Sequence, residues 1–243
     1  MGTNQTSHHK VDIQKMQDCL WDHYQEGPTF SFDLSYPRLD FLASRIKRGQ
    51  SVLNIGVGNG YLEEKLHHRG VDVRALDPSQ KTMDKLKKRI PLGDKGQVGY
   101  SQAIPFSSDC FDVVIMTEVL EHLADDALKQ TLKEVHRVLK TGGIFIGTVP
   151  YREDLNANRV ICPCCQSIFH RWGHHQSFDK EKLTEGFTSA GFRIIEAYPR
   201  AFPDWKRINI KLLIKSVGRY ILGRLGETIV SPNLYFKVQK PFV

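Results

Sequence analysis

The chain has no run of eighteen or more apolar residues, so nothing in its 243 residues reads as a membrane-spanning helix. Its first ten residues, Met1 to Lys10, are polar and lack the apolar centre of a secretory leader. Cysteine is sparse and odd in number: Cys19, Cys110, Cys162, Cys164 and Cys165, three of them crowded together. That pattern excludes a disulfide framework as the organising device and suits reduced thiols in a cytosol. The expected location is cytoplasmic. There is no internal repeat and no low-complexity tract, which excludes solenoids and disordered linkers as the main body. No basic and aromatic platform accompanies the formal charge of +7, so no specific nucleic acid is expected as a partner.

What is present is ordinary globular material, 40% apolar and 25% charged, enough for one large domain. Residues 1–49 read as an N-terminal helical cap. Val11 to Gln25 has helical character, Gly27-Pro28 breaks it, and Leu39 to Ile46 is amphipathic with a cationic end at Lys47-Arg48-Gly49. From residue 51 the pattern changes. Strands are read at Ser51 to Ile55, Val71 to Leu76, Phe111 to Met116, Ile144 to Val149 and Arg193 to Tyr198. Helices are read between them at Tyr61 to Arg69, Ser79 to Arg89, Ala124 to Leu139 and Lys180 to Ala190. Asn233 to Gln239 alternates as a last strand. Strand and helix in alternation predict an α/β domain over 50–243. Its core is a doubly wound, mostly parallel, seven-stranded Rossmann-like sheet with helices on both faces. Two insertions interrupt it, at 150–178 and 199–231.

The first strand runs into Gly56-Val57-Gly58-Asn59-Gly60. Alternating glycines permit a tight turn and a close approach to a ligand. Their G-x-G-x-G spacing differs from the G-x-G-x-x-G of nicotinamide enzymes, which counts against an oxidoreductase. Asp77 ends the second strand, seventeen residues past Gly60, where a carboxylate can accept both hydroxyls of a ribose.

From about Ser51 to Tyr151 the sequence resembles the class I S-adenosylmethionine-dependent methyltransferases of the small-molecule type. Five stretches carry the resemblance in the family's order: Val52 to Gly60; Ala75-Leu76-Asp77-Pro78-Ser79; Ile104-Pro105-Phe106 with Phe111-Asp112-Val113-Val114; Thr117-Glu118-Val119-Leu120-Glu121-His122-Leu123; and His136-Arg137-Val138-Leu139-Lys140-Thr141-Gly142-Gly143. The resemblance implies S-adenosylmethionine as cofactor, held by Asn54, Gly56, Gly58, Gly60, Asp77, Pro78, Ser101, Gln102, Thr117 and Glu118. Asn54 stands where the family usually has an acid near the methionine ammonium. Tyr100 replaces an acid near the adenine amino group, which leaves adenine to backbone groups near Ser101 and Gln102.

His122 follows the strand end that faces the cofactor and is the expected general base for an oxygen acceptor. The chain lacks the Asn/Asp-Pro-Pro-aromatic motif associated with many amino-group and base methylators. The expected reaction is therefore O-methylation of a small molecule or of a sugar-like, glycan or lipid-linked precursor. A cofactor-binding or zinc-bearing scaffold without catalysis is the alternative, with the oxidoreductase third.

Two features lie outside those motifs. Cys162 and Cys165 have C-x-x-C spacing, with His170 and His174 following closely; two thiolates and two imidazoles suffice for a tetrahedral structural zinc. Between Trp205 and Leu225, Arg207, Lys211, Lys215 and Arg219 form a cationic stripe beside an apolar face. That face suits packing on the domain, or a peripheral contact with the inner membrane surface through 205–225.

Overall fold

The structure is a computed structural model that describes residues 13–26, 35–203, 210–227 and 232–242. Helix α1 (Ile13–Glu26) and helix α2 (Tyr36–Ala43) precede the sheet. The α/β alternation follows: β1 (Ser51–Ile55), α3 (Tyr61–His68), β2 (Asp72–Asp77), α4 (Gln80–Arg89), β3 (Gly96–Val98), β4 (Phe111–Thr117), α5 (Asp125–Val138) and β5 (Leu139–Pro150). After a small hairpin of β6 (Arg159–Ile161) and β7 (Ile168–His170) come α6 (Lys180–Ser189), β8 (Arg193–Arg200), α7 (Ile210–Arg224) and β9 (Asn233–Gln239).

The seven strands of the main sheet lie in the order β3-β2-β1-β4-β5-β9-β8. The first five are mutually parallel, whereas β9 is antiparallel to both β5 and β8. The expected doubly wound, mostly parallel α/β sheet of seven strands is what forms. Its physical cause is legible in β4, where five of seven residues are buried as a strand covered on both faces requires. Side chains alternate between two cores. Leu53, Val114, Met116, Phe145 and Phe236 meet α5 and α6 on one face. Val52, Val113, Ile115, Ile146 and Tyr235 meet α2, α3 and α4 on the other.

Local signals set the helix ends. The Ser79 hydroxyl accepts from Thr82 N to start α4, and the Asp179 carboxylate accepts from Lys182 N to start α6. Acidic Asp125 and Asp126 open α5, and His136 and Arg137 close it, matching the helix dipole.

Three details depart from the sequence reading. Leu139 to Gly143 extend β5 instead of ending a helix, with a bulge opposite Phe111 and Val113. The short strands β3, β6 and β7 appear in stretches read as connections. The basic segment forms α7 from Ile210 onward, and residues 204–209 lie outside the described residues. No helix among the described residues is long and apolar enough to cross a membrane.

Candidate active site

A cavity of about 690 Å³ opens beyond the carboxyl ends of β1, β2 and β4. Sheets of this kind bind ligands there. Of the ten expected cofactor residues, nine line the cavity: Asn54, Gly56, Gly58, Asp77, Pro78, Ser101, Gln102, Thr117 and Glu118. Gly60 does not. A Cβ at Gly60 would lie 2.8 Å from Leu86 Cδ1, so this glycine lets α3 start against α4 and faces away from the ligand space.

The glycine loop is closed by Asp77. Its Oδ2 accepts from Val57 N at 2.8 Å and its Oδ1 from Ser79 N at 2.9 Å. Burial nevertheless pushes the carboxyl up to about 6, with the backbone bonds pulling the other way. Gly56 has φ of 85°, and a Cβ there would meet Val119 Cγ2 at 2.6 Å, so only glycine fits. Asn54 is fixed from behind: its Nδ2 donates to Glu63 Oε1 at 2.6 Å and to Gly56 O at 3.3 Å. That leaves its buried Oδ1 as an acceptor without a donor, suited to an ammonium group. Glu63 was not singled out in the sequence. It is fully buried, and desolvation raises its pKa to about 7.

The other expected residues divide by role. Ser101 Oγ pairs with Thr131 Oγ1 at 2.8 Å, and Gln102 Oε1 is buried without a donor. Thr117 Oγ1 pairs with Thr148 Oγ1 at 2.8 Å. Glu118, at φ of 55°, accepts from Thr148 Oγ1 and from Asn233 Nδ2, each at 2.9 Å, and stands 3.6 Å from Arg38 Nη1. Its carboxylate therefore ties β4 to β5, β9 and α2.

The far end of the cavity is built by the turn Leu120–His122 and by the returning limb of the 150–178 insertion. Backbone N–H groups of His175 and Gln176 donate to Glu121 O at 2.7 and 2.9 Å. This strap brings Trp172, His174 and Glu153 into the cavity wall. Helix α1 covers the same region: Gln17 Nε2 donates to His122 O and Gly173 O, and the Trp21 ring packs edge-on to His122 at 4.7 Å. One residue after Gln17, Asp18 Oδ2 accepts from the Tyr100 hydroxyl at 2.9 Å, so Tyr100 anchors α1.

His122 is buried, its Nδ1 lies 3.3 Å from Gly173 O, and its ring faces His174 at 4.6 Å. Burial, reinforced by His174, His175 and His170, holds its pKa well below the ordinary histidine value, so it is neutral at neutral pH. Glu121 is completely buried, and neither of its carboxylate oxygens has a hydrogen-bond donor. Burial first, and then the Glu118 charge, raise its pKa well above that of an ordinary carboxylate. The sequence reading passed over Glu121, although its position beside His122 was available as a signal.

The expected zinc knuckle is corrected. In the β6–β7 hairpin, Arg159 pairs with His170 and Ile161 with Ile168, so Cys162 and Cys165 occupy the turn beyond the last pair. His170 and His174 sit at the opposite, buried end beside Glu153. The intervening rungs keep thiols and imidazoles apart. Among the described residues, no metal-sized group contains a cysteine.

Residues 53–147 match a family described as a methyltransferase domain. The mitochondrial ubiquinone biosynthesis O-methyltransferase of mouse is 34% identical over 171 residues, 61% of this chain and 45% of that protein. A probable S-adenosylmethionine-dependent methyltransferase of Mycolicibacterium smegmatis is 30% identical over 148 residues, 60% of this chain and 53% of that protein. The chain spans about half the length of these curated relatives. Among solved structures, a chain from the complex between the Haloferax volcanii Trm112 methyltransferase activator and a methyltransferase shares the fold with a TM-score of 0.68 at 20% identity, over 91% of this chain and 97% of that one. The 1,6-didemethyltoxoflavin-N1-methyltransferase of Burkholderia thailandensis, solved with bound 1,6-didemethyltoxoflavin and S-adenosylhomocysteine, shares it at 0.64 and 17%, over 93% and 87%. The ordered motifs, the sheet and these matches agree: residues 53–147 carry a methyltransferase domain, and the chain is similar to the class I S-adenosylmethionine-dependent methyltransferases.

Proposed function

We propose that the chain transfers the methyl group of S-adenosylmethionine to an oxygen of a small or sugar-like acceptor. The observation that carries this reading is one continuous cavity with two chemically different ends. Its volume of about 690 Å³ lies within the roughly 300–1,000 Å³ of small-molecule sites, large enough for a donor and a modest acceptor together. Asp77, Pro78 and the glycine loop offer a ribose and methionine cradle at one end, and Asn54 Oδ1 supports the ammonium. Glu121, His122 and His174 mark the acceptor end.

The reaction asks mainly for alignment. The acceptor oxygen forms a bond to the methyl carbon as the carbon–sulfur bond breaks, and sulfur keeps that electron pair. S-adenosylhomocysteine and the methyl ether are left, and the hydroxyl proton goes to water. The absence of the Asn/Asp-Pro-Pro-aromatic motif associated with many amino-group and base methylators favours oxygen as the acceptor atom. Helix α1 and the strap at 170–176 cover that end.

A peripheral membrane contact belongs to the same reading, for a lipid-linked acceptor. Val217, Ile221 and Leu222 on α7, and Leu225 just past its end, are exposed beside Arg219 and Arg224. Sedimentation with vesicles containing anionic lipid should carry the protein down, and Ile221→Asp should abolish it. Absence of cosedimentation removes the membrane from the proposal.

The cofactor test is calorimetry with S-adenosylmethionine and S-adenosylhomocysteine. Micromolar binding is expected, with Asp77→Ala weakening it at least about 100-fold, the loss of a buried carboxylate that accepts two hydroxyls. A folded protein that binds neither compound overturns the reading and promotes a scaffold without catalysis.

A further inference from the structure

Four histidines and two carboxylates crowd the acceptor end, more than proton transfer needs. We propose that Glu121, His122 and His174 form a binding site for a divalent metal cation in the wall of the acceptor end of the cavity. Each of the three offers one ligand atom, and these atoms lie within 4.8 Å of one another.

Three independent observations select a cation as the occupant. First, the Glu121 carboxylate is fully buried with both oxygens undonated, a costly arrangement unless something positive completes it. The Arg38 charge offsets it only in part, because that guanidinium is held 3.6 Å from Glu118. Second, each imidazole has one ring nitrogen already engaged. His122 Nδ1 faces Gly173 O, and His174 Nδ1 faces Glu153 Oε2, which leaves each Nε2 as the lone-pair nitrogen. An outer carboxylate or carbonyl that holds the far nitrogen is the usual support of a metal-bound histidine. Third, the three side chains line the same cavity, so an ion there has open positions facing the acceptor space.

The donor set also selects the ion class. Two imidazole nitrogens and one carboxylate oxygen suit zinc, manganese, iron or cobalt better than calcium or magnesium. Glu153 and His170 form a second group that shares His174, with His170 Nε2 3.5 Å from Glu153 Oε1. Its carboxylate is already engaged by His174, so it supports the first group as the outer layer. Placing the ion beside the acceptor rests on the proposed reading of the cavity; the ligand set itself does not. An ion there would supply Lewis acidity next to the acceptor hydroxyl.

The test uses full-length protein stripped with a chelator and titrated with Co²⁺, followed by visible absorption and calorimetry. S-adenosylhomocysteine binding is measured on the same metal-free sample. One equivalent of Co²⁺ should bind and give ligand-field bands. The partly buried His174→Ala should weaken this by about 10–100-fold or more, and Glu153→Gln by about 10-fold, since it disturbs only the orientation of His174. A Cys162→Ser/Cys165→Ser double variant should bind as the wild type does. Uptake of Co²⁺ without binding of S-adenosylhomocysteine keeps the metal site and overturns the cofactor reading. Wild-type protein that binds S-adenosylhomocysteine but no Co²⁺ overturns the metal site. So does a His174→Ala variant with unchanged affinity, or loss of Co²⁺ in the cysteine variant.

Discussion

Asp77 and Glu121 are both buried carboxylates in the wall of one cavity, and the fold treats them in opposite ways. Asp77 receives two backbone N–H groups, from Val57 and Ser79, at 2.8 and 2.9 Å. Glu121 receives no donor at either oxygen. The first is finished by the protein, in the wall of the cavity. The second is left open, beside imidazoles whose outer nitrogens are already engaged. The cofactor end is thus organised by main-chain donors at strand ends, and the acceptor end by side-chain acceptors that an insertion straps into place.

The largest effect that would sharpen this contrast comes from Glu63, which supports the cofactor end. Its pKa stands at about 7 against an ordinary 4.5, because burial disfavours the charged form. A carboxyl raised in the folded state stabilises fully below its unfolded pKa and loses that contribution as pH rises through the folded one. The wild type should therefore lose about 3 kcal/mol relative to Glu63→Gln between pH 4.5 and well above 7. The amide keeps an oxygen for Asn54 Nδ2 and has no charge to bury. Urea unfolding across that range measures the difference. A constant gap between the two proteins would mean that Glu63 is not held in an apolar setting.

Next in size is the pH dependence of cofactor binding. Asp77, with its carboxyl pushed up to about 6, must be ionised to accept both ribose hydroxyls well. Affinity for S-adenosylhomocysteine should be flat above about pH 7 and fall below about 6, by up to tenfold per pH unit. Affinity that stays flat down to pH 5 would show that ribose recognition does not depend on the Asp77 charge.

The same contrast explains what could be read from the sequence. The cofactor end is local in the chain: a strand, three glycines and an acid at the next strand end recur within residues 52 to 79, and each constraint acts over a few residues. Hence five of the six residues expected in that segment reached the cavity. Gly60 missed because its spacing is shared by two demands, ligand approach and the packing of Leu86 on α3. Glu118 was read at the right place, but its partners Asn233 and Arg38 are distant in sequence, and they make it a tie between elements. At the acceptor end, nothing local shows that Glu121 is undonated, because the strap from His175 and Gln176 uses only backbone. The strands β8 and β9 were visible as strands; their antiparallel pairing is a property of non-local registers that composition does not encode.

The smallest expected effect separates the two ends of the insertion. Its base is held by Gln176 Nε2 to Asp125 Oδ1 at 2.6 Å and by the strap on Glu121. Its tip carries Cys164 and Cys165 exposed, and Cys165 Sγ meets Ser167 Oγ at 3.2 Å and the Cys162 thiol. A structural zinc in a Cys₂His₂ knuckle would make those thiols indispensable to folding, since such ions contribute folding free energy outright. With the histidines at the far end of the ladder, the thiols hold nothing that the fold needs. Replacing both Cys162 and Cys165 with serine should change stability by less than about 0.5 kcal/mol, the scale of ordinary surface substitutions. Gln176→Ala, at the base, should cost about 1 kcal/mol through the lost bond to Asp125. Thermal unfolding of the two variants side by side tests the division. If the cysteine variant proves the weaker one, the tip of the insertion carries the structure, and the strap at its base only follows.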